Sequence, residues 1–162
     1  MKKIIFIFFV LTLVQKAFSQ TPPPQPELEF AMQLRVKIDA PYSCENTPNG
    51  TRTIIPITGG EFSGPKIKGI VINGGADYQM SNGNRTTLEA IYCIKTDDNI
   101  IIHVRNCGII YTDKNEFYFK AAPKFEAPQN SKYNWLNNAI FVCSPSNEQM
   151  QGGIILNVWK VK

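Results

Sequence analysis

From Leu28 onward the sequence predicts one all-β domain, an antiparallel sheet curled into an up-and-down barrel. Three observations carry that expectation. No stretch keeps the 3.6-residue spacing of apolar side chains that an amphipathic helix needs. Short runs rich in Ile, Val, Thr, Tyr and Phe alternate instead with turn residues, at the intervals typical of sandwiches and barrels. About nine short strands in so small a domain leave edges that must be hidden, and closing the sheet hides them completely.

The chain opens outside that domain. Lys2 and Lys3 precede an apolar run from Ile4 to Val14, and Ala17-Phe18-Ser19 has the small-x-small form of a signal peptidase site. Residues 1–19 therefore read as a secretory signal peptide cut before Gln20. The apolar run is about half of the ~20 residues that a spanning helix requires. The whole chain carries 17 Lys and Arg against 13 Asp and Glu, a net charge of +4. Lys2, Lys3 and Lys16 lie in the leader, so the exported chain is expected to be nearly neutral, secreted or periplasmic, and free of the membrane after cleavage. No basic cluster remains to suggest nucleic acid as a partner. Residues 20–27, with Pro22, Pro23, Pro24 and Pro26, form an extended tether, and residues 28–162 form the barrel domain.

Strands are predicted over Phe30–Asp39, Arg52–Glu61, Ile67–Ile72, Asp77–Met80 and Thr87–Lys95. They continue over Ile100–Asn106, Glu116–Ala121, Asn138–Cys143 and Gly152–Lys160. Asn73-Gly74-Gly75 and Ser81-Asn82-Gly83-Asn84 are hairpin turns by composition. The stretch from Pro123 to Asn137, with Phe125, Tyr133 and Trp135, reads as an ordered loop that plugs one barrel end or lies over a ligand.

Residues 55–79, IPITGGEFSGPKIKGIVINGGADYQ, hold six glycines. A phosphate-cradling loop would need a Lys where Pro65 stands and a helix where another strand follows. Pro also lacks the N–H such a loop donates. The glycines are therefore expected at the bends and bulges of tightly coiled strands.

With the strands placed, several motifs fall in a recognisable order. They are Ile54-Ile55-Pro56-Ile57-Thr58-Gly59-Gly60, Gly74-Gly75-Ala76-Asp77-Tyr78-Gln79, Thr96-Asp97-Asp98, Val104-Arg105-Asn106, Tyr118-Phe119, Pro123-Lys124-Phe125-Glu126 and Tyr133-Asn134-Trp135-Leu136-Asn137. From about Phe30 to the C-terminus the chain resembles the domain-of-unknown-function 3237 family, also called the UPF0311 proteins. The resemblance implies a single-domain antiparallel barrel of lipocalin-like appearance and little about chemistry. This chain departs from the pattern in three ways. A longer excursion common in the family shrinks to Gly108–Asn115; family members commonly look cytoplasmic, whereas this chain has a leader; and Ile91 and Cys107 stand where Arg is frequent, which implies a mouth suited to a less acidic ligand.

The hairpin Leu88–Cys107 offers the sharpest local reading. Asn99 in the left-handed region after Thr96-Asp97-Asp98 makes a three-residue connection that pairs Glu89 with Cys107, Ile91 with Arg105 and Cys93 with His103. One face then holds Glu89, His103, Arg105 and both cysteines. The other holds Leu88, Ala90, Tyr92, Ile94, Ile100, Ile102, Val104 and Asn106. By composition alone the aliphatic face belongs inside. The recurrence in the family of Asp77, an acid at Glu89, and Arg105 shifts the expectation to a polar lumen, with Asp77, Glu89, Arg105 and Trp135 lining one pocket. There the Arg105 guanidinium would be a fork for a carboxylate, enolate or phenolate oxygen. His103, the single histidine, is a candidate general base beside Glu89, as are the carboxylates Asp77 and Glu89 themselves.

One histidine and no Cys-x-x-Cys pair argue against a metal site, and no cofactor is expected. Cys44, Cys93, Cys107 and Cys143 would favour disulfides in an oxidising compartment. The hairpin register separates Cys93 from Cys107, which leaves 44–93 with 107–143, 44–107 with 93–143, or a single bridge with two free thiols. The expected function is small-molecule binding in the barrel. The rivals are a cofactor-free isomerase, lyase or cyclase in the same pocket, and a structural or interaction module with a filled interior.

Overall fold

A computed structural model describes residues 22–162, so the signal-peptide reading and the start of the tether lie outside the described residues. Ten antiparallel strands form one sheet that closes on itself. In chain order they are β1 (Leu28–Ile38), β2 (Tyr42–Thr47), β3 (Gly50–Ser63), β4 (Lys68–Val71) and β5 (Ala76–Asn82). They continue with β6 (Arg85–Thr96), β7 (Ile101–Asp113), β8 (Glu116–Glu126), β9 (Phe141–Pro145) and β10 (Gly153–Val161). Around the barrel these make eight staves, because two staves are broken. Strands β4 and β5 both pair with β3 on one side and β6 on the other. Strands β1 and β2 follow one another along the other edge of β3. The β1–β10 ladder completes the circle, and the result is the up-and-down barrel that the strand pattern predicts.

Glycine makes the closure possible. At Gly60, φ is +134° and a Cβ would sit 2.1 Å from the Arg35 carbonyl oxygen on the neighbouring strand. Any side chain there would force β1 and β3 apart at the seam that closes the sheet. Gly75, with φ +81° and a Cβ position 2.1 Å from the Ile91 carbonyl, does the same where β4 gives way to β5. The strand β3 runs straight through Gly59 and Gly60, so the phosphate-loop alternative has no loop to occupy.

The Leu88–Cys107 hairpin adopts the register read from its turn. Asn99 has φ +65°, the Thr96 N–H donates to the Ile100 carbonyl at 2.9 Å, and Glu89 pairs with Cys107, Ile91 with Arg105 and Cys93 with His103. Most strand ends differ from the expectation by one to three residues, and three strands differ by more. Strand β2, with sequence YSCENT, was absent from the predicted set; it is an exposed edge strand with no apolar alternation to reveal it. Strands β7 and β8 extend to Asp113 and Glu126, so Gly108–Asn115 is mostly strand and the plug begins only after Glu126.

The two halves of the barrel differ. One end is solid: Met32, Leu34, Ile94, Ile102, Val104, Phe141 and Val158 are each 2% exposed or less. The segment between β8 and β9, which contains a short 3-10 helix at Asn134–Asn138, stoppers this end. Leu136 is buried in it, and the Trp135 ring packs on Phe141 with centroids 5.8 Å apart. Asp98, in the β6–β7 turn, ties the stopper down by accepting hydrogen bonds from the Tyr133 hydroxyl at 2.6 Å and the Thr96 hydroxyl at 2.7 Å, and an ion pair from Lys132 at 3.0 Å. The other end is hollow.

Candidate functional site

The hollow end contains a cavity of about 110 Å³. Its walls are mainly aliphatic and aromatic: Val36, Ile38, Ile55, Ile57, Leu88, Phe119, Ile154 and Leu156. Alternation along the strands puts them there, since Ile55 pairs with Asp77, Asp77 with Ala90, and Ala90 with Asn106, all directed inward. The volume is somewhat below that of a dry apolar cavity of about 150 Å³ that holds a benzene ring.

Four polar side chains interrupt this lining: Asp77 and Gln79 from β5, Tyr92 from β6 and Asn106 from β7. The Gln79 amide donates to Asp77 Oδ2 at 2.7 Å, which fixes the carboxyl. Asp77 Oδ1 is buried and has no partner among the described residues, and Asn106 Oδ1 is in the same condition. Asn106 is 4% exposed, and its Nδ2 reaches Cys143 Sγ at 4.0 Å. Unpaired buried acceptors cost stability, and each calls for an explanation such as a catalytic role, a bound water or an ion. Burial raises the Asp77 carboxyl above its ordinary value, against the opposing pull of the Gln79 amide and the Glu89 backbone N–H. Burial also drives the Tyr92 phenol well above its ordinary value, with the Cys143 and Asp77 charges adding to the effect, so Tyr92 stays protonated and can act as a donor. A neutral phenol, an amide and an acid of raised pKa facing an apolar hollow can hold a hydroxyl-bearing molecule and pass it a proton.

The polar-lumen expectation is corrected in its main term. Of the four side chains assigned to one pocket, only Asp77 lines the lumen. Arg105 and Glu89 point outward from the wall and pair with each other over a shallow surface depression that also includes Tyr78 and Cys107. Arg105 is exposed, and its charge stays in water because the aliphatic face of the hairpin fills the interior, as composition alone indicates. Ile91 and Cys107, read as changes at the mouth, lie on that same outer face. Trp135 sits at the stoppered end in a small cleft with Glu29, Lys66 and Lys160. His103 also faces outward, 3.8 Å from Glu126, and does not share a cavity with Asp77. Sequence reasoning passed over Gln79, Tyr92 and Asn106. The signal for two of them was present, since Tyr92 and Asn106 are the polar members of an otherwise aliphatic hairpin face.

All four cysteines are free thiols. Both two-bridge schemes join Cys143 to a thiol on the outer surface, but Cys143 is buried inside the wall while Cys93 and Cys107 lie on its outer side. Cys44 is also on the outer side, three or four strands from Cys93 and Cys107, and a spacing of about 4.8 Å per strand puts it beyond bridging distance. Among the described residues no cluster of His, Cys, Asp and Glu is placed to hold a metal ion.

Fold and cavity together define a small closed barrel with a blind, mostly apolar lumen and an acid set in its wall. The chain belongs to the family described as "Protein of unknown function (DUF3237)", whose model matches residues 26–161. A UPF0311 protein of Rhodopseudomonas palustris is 33% identical over 136 residues, covering 75% of this chain and 88% of the relative. The crystal structure of the R. palustris protein of unknown function has a TM-score of 0.77 at 31% identity, covering 86% of this chain and 99% of that one. A protein titled a hydroalkoxylation enzyme, from Penicillium herquei, is 26% identical over 145 residues, covering 90% of this chain and 91% of its own.

Proposed function

We propose that this protein binds a small, largely apolar molecule with a hydroxyl group in the barrel lumen, and that Asp77 moves a proton on it without a cofactor. The observation that supports this most is Asp77 Oδ1, buried and unpaired in an apolar hollow while its twin oxygen is held by Gln79. The name of the P. herquei relative suggests a reaction class, the addition of a hydroxyl across a carbon–carbon double bond. Such a step needs no oxidant. A protonated carboxyl gives its proton to one alkene carbon, the hydroxyl oxygen bonds to the other, and the hydroxyl proton returns to the carboxylate. Asp77 is suited to both transfers, and Tyr92 and Gln79 supply donors beside it. Arg105 takes no part, because it lies outside the wall.

The probe is 2-prenylphenol, with cyclisation followed by chromatography and binding by tryptophan fluorescence. The expected result is turnover by the natural chain and a loss of at least ~100-fold in Asp77→Asn, the usual scale of a lost acid–base group. Binding without turnover would leave a carrier. Binding and turnover unchanged in Asp77→Asn would overturn the assignment. The leader-like opening supports a separate proposal, that the mature chain is exported and begins at Gln20; N-terminal sequencing of the secreted protein checks it.

A further inference from the structure

Above Gln79 the lumen differs from one flank to the other. Rimward of the cavity lining, the inward side of β2, β3, β5 and β6 carries an exposed Ser43 and half-buried Thr53, Ser81 and Thr86, with Ser43 opposite Thr53 and Ser81 opposite Thr86. The paired hydroxyl oxygens lie 2.9 Å and 2.8 Å apart. A hydroxyl pair uses one O–H between its two oxygens, so each pair still offers a free O–H and several lone pairs to a third partner. These groups continue the line begun by Asp77. Asp77, Gln79 and Ser81 succeed one another on the inward face of β5, and Ser81 stands about 13 Å beyond Asp77 at ~3.3 Å per residue.

The flank across the opening is aromatic. Phe119 lines the cavity, and Phe117 follows two residues nearer the rim on the same face of β8, 67% exposed. Phe117 thus presents a large exposed aromatic side chain rimward of the cavity. Hydroxyl pairs on one flank and phenyl rings on the other suit a sugar-like ring, whose C–H face packs on an aromatic while its hydroxyls bond to polar groups. The inner cavity, by contrast, suits a flat apolar ring with one donor.

Resting on the lumen reading above, we propose that the ligand is a phenol-like ring bearing a polyhydroxylated, sugar-like outer portion. The ring enters first, with its hydroxyl at Asp77, and the outer portion lies between the Ser43–Thr53 and Ser81–Thr86 pairs and Phe117.

Isothermal titration with two probes tests this. One is 4-hydroxyphenyl β-D-glucoside, and the other is 4-methoxyphenol, which keeps the ring and hydroxyl but lacks the sugar. The glucoside is expected to bind the natural chain about tenfold more tightly, the scale of two or three added neutral hydrogen bonds and a ring contact. In the double variant Thr53→Val, Ser81→Ala that advantage falls to within about twofold, a difference read against 4-methoxyphenol on the same variant. Phe117→Ala lowers it independently of the hydroxyls. Equal affinity for the two probes in the natural chain, or a glucoside advantage that survives the double variant, would overturn the outer subsite and leave the lumen reading standing. Failure of both probes to bind, or indifference of both to Asp77→Asn, would strike the lumen reading and this one with it.

Discussion

At Asp77 the chain places a carboxyl where its charge is expensive, and that choice has a measurable signature. Burial raises its pKa in the folded protein, so the folded state holds this proton more tightly than the unfolded chain does. The group therefore costs stability at pH values above its folded pKa, and the cost fades as pH falls through that value toward the unfolded value near 4. Asp77→Asn is expected to raise the melting temperature at pH 7 and to show no gain in mild acid, which thermal melts at several pH values would display. A purely structural carboxylate would show the reverse. Arg105→Ala supplies the contrast. Its partner Glu89 shares an exposed surface, so removing the pair should leave stability and lumen binding essentially unchanged. A large loss of ligand affinity in Arg105→Ala would show that the outer depression is the site after all.

At the scale of elements, the hairpin around Asn99 was legible because turn chemistry is local. Thr96-Asp97-Asp98-Asn99 specifies its own connection, and the register of the whole β6–β7 ladder follows from it. Which face of that ladder turns inward is not local, and the recurrence of polar residues across relatives pointed the wrong way. Residues that recur together can share an outer wall as easily as a lumen, and Glu89 and Arg105 do. Strand β2 escaped notice for a related reason: its burial pattern is exposed almost throughout, so no alternation marks it. Inward-facing Asp77 was legible as a candidate, but its neighbour Gln79 became visible only once the registers of β5 with β3 and β6 were known. The stopper shows a further element-scale effect. Hydrogen bonds from Tyr133, then from Thr96 and Lys132, hold the Asp98 carboxyl well below the usual carboxylate range. Its contribution is thus complete above the unfolded-state pKa near 4 and is lost as pH falls through the lower folded value. Tyr133→Phe is expected to lower the melting temperature by a few degrees at pH 7, with the gap to the natural chain narrowing in acid below about pH 4. A gap that widens there would contradict the role given to Asp98.

Across the whole molecule, the wall sorts the thiols by side. Cys44 and Cys107 are exposed, Cys93 is half-buried and Cys143 is enclosed, with its thiol pushed up to about 12 by burial. Iodoacetamide is expected to label Cys44 and Cys107 rapidly in the native protein, Cys93 more slowly, and Cys143 only after denaturation, with mass spectrometry locating each adduct. A native chain with no alkylatable thiols would instead reveal bridges that the barrel geometry does not allow. The packed half of the barrel carries the stability. Phe141→Ala, which removes a ring held edge-on to Phe125 at 5.1 Å between centroids, should cost about 3–5 kcal/mol in chemical denaturation.

A tube stoppered at one end is a cul-de-sac. Whatever enters past Phe117 must leave by the same door, and two separate reactants would have to queue, the second waiting behind the first. Such a chamber favours chemistry within a single molecule, a fold-back or a ring closure, over any encounter between two.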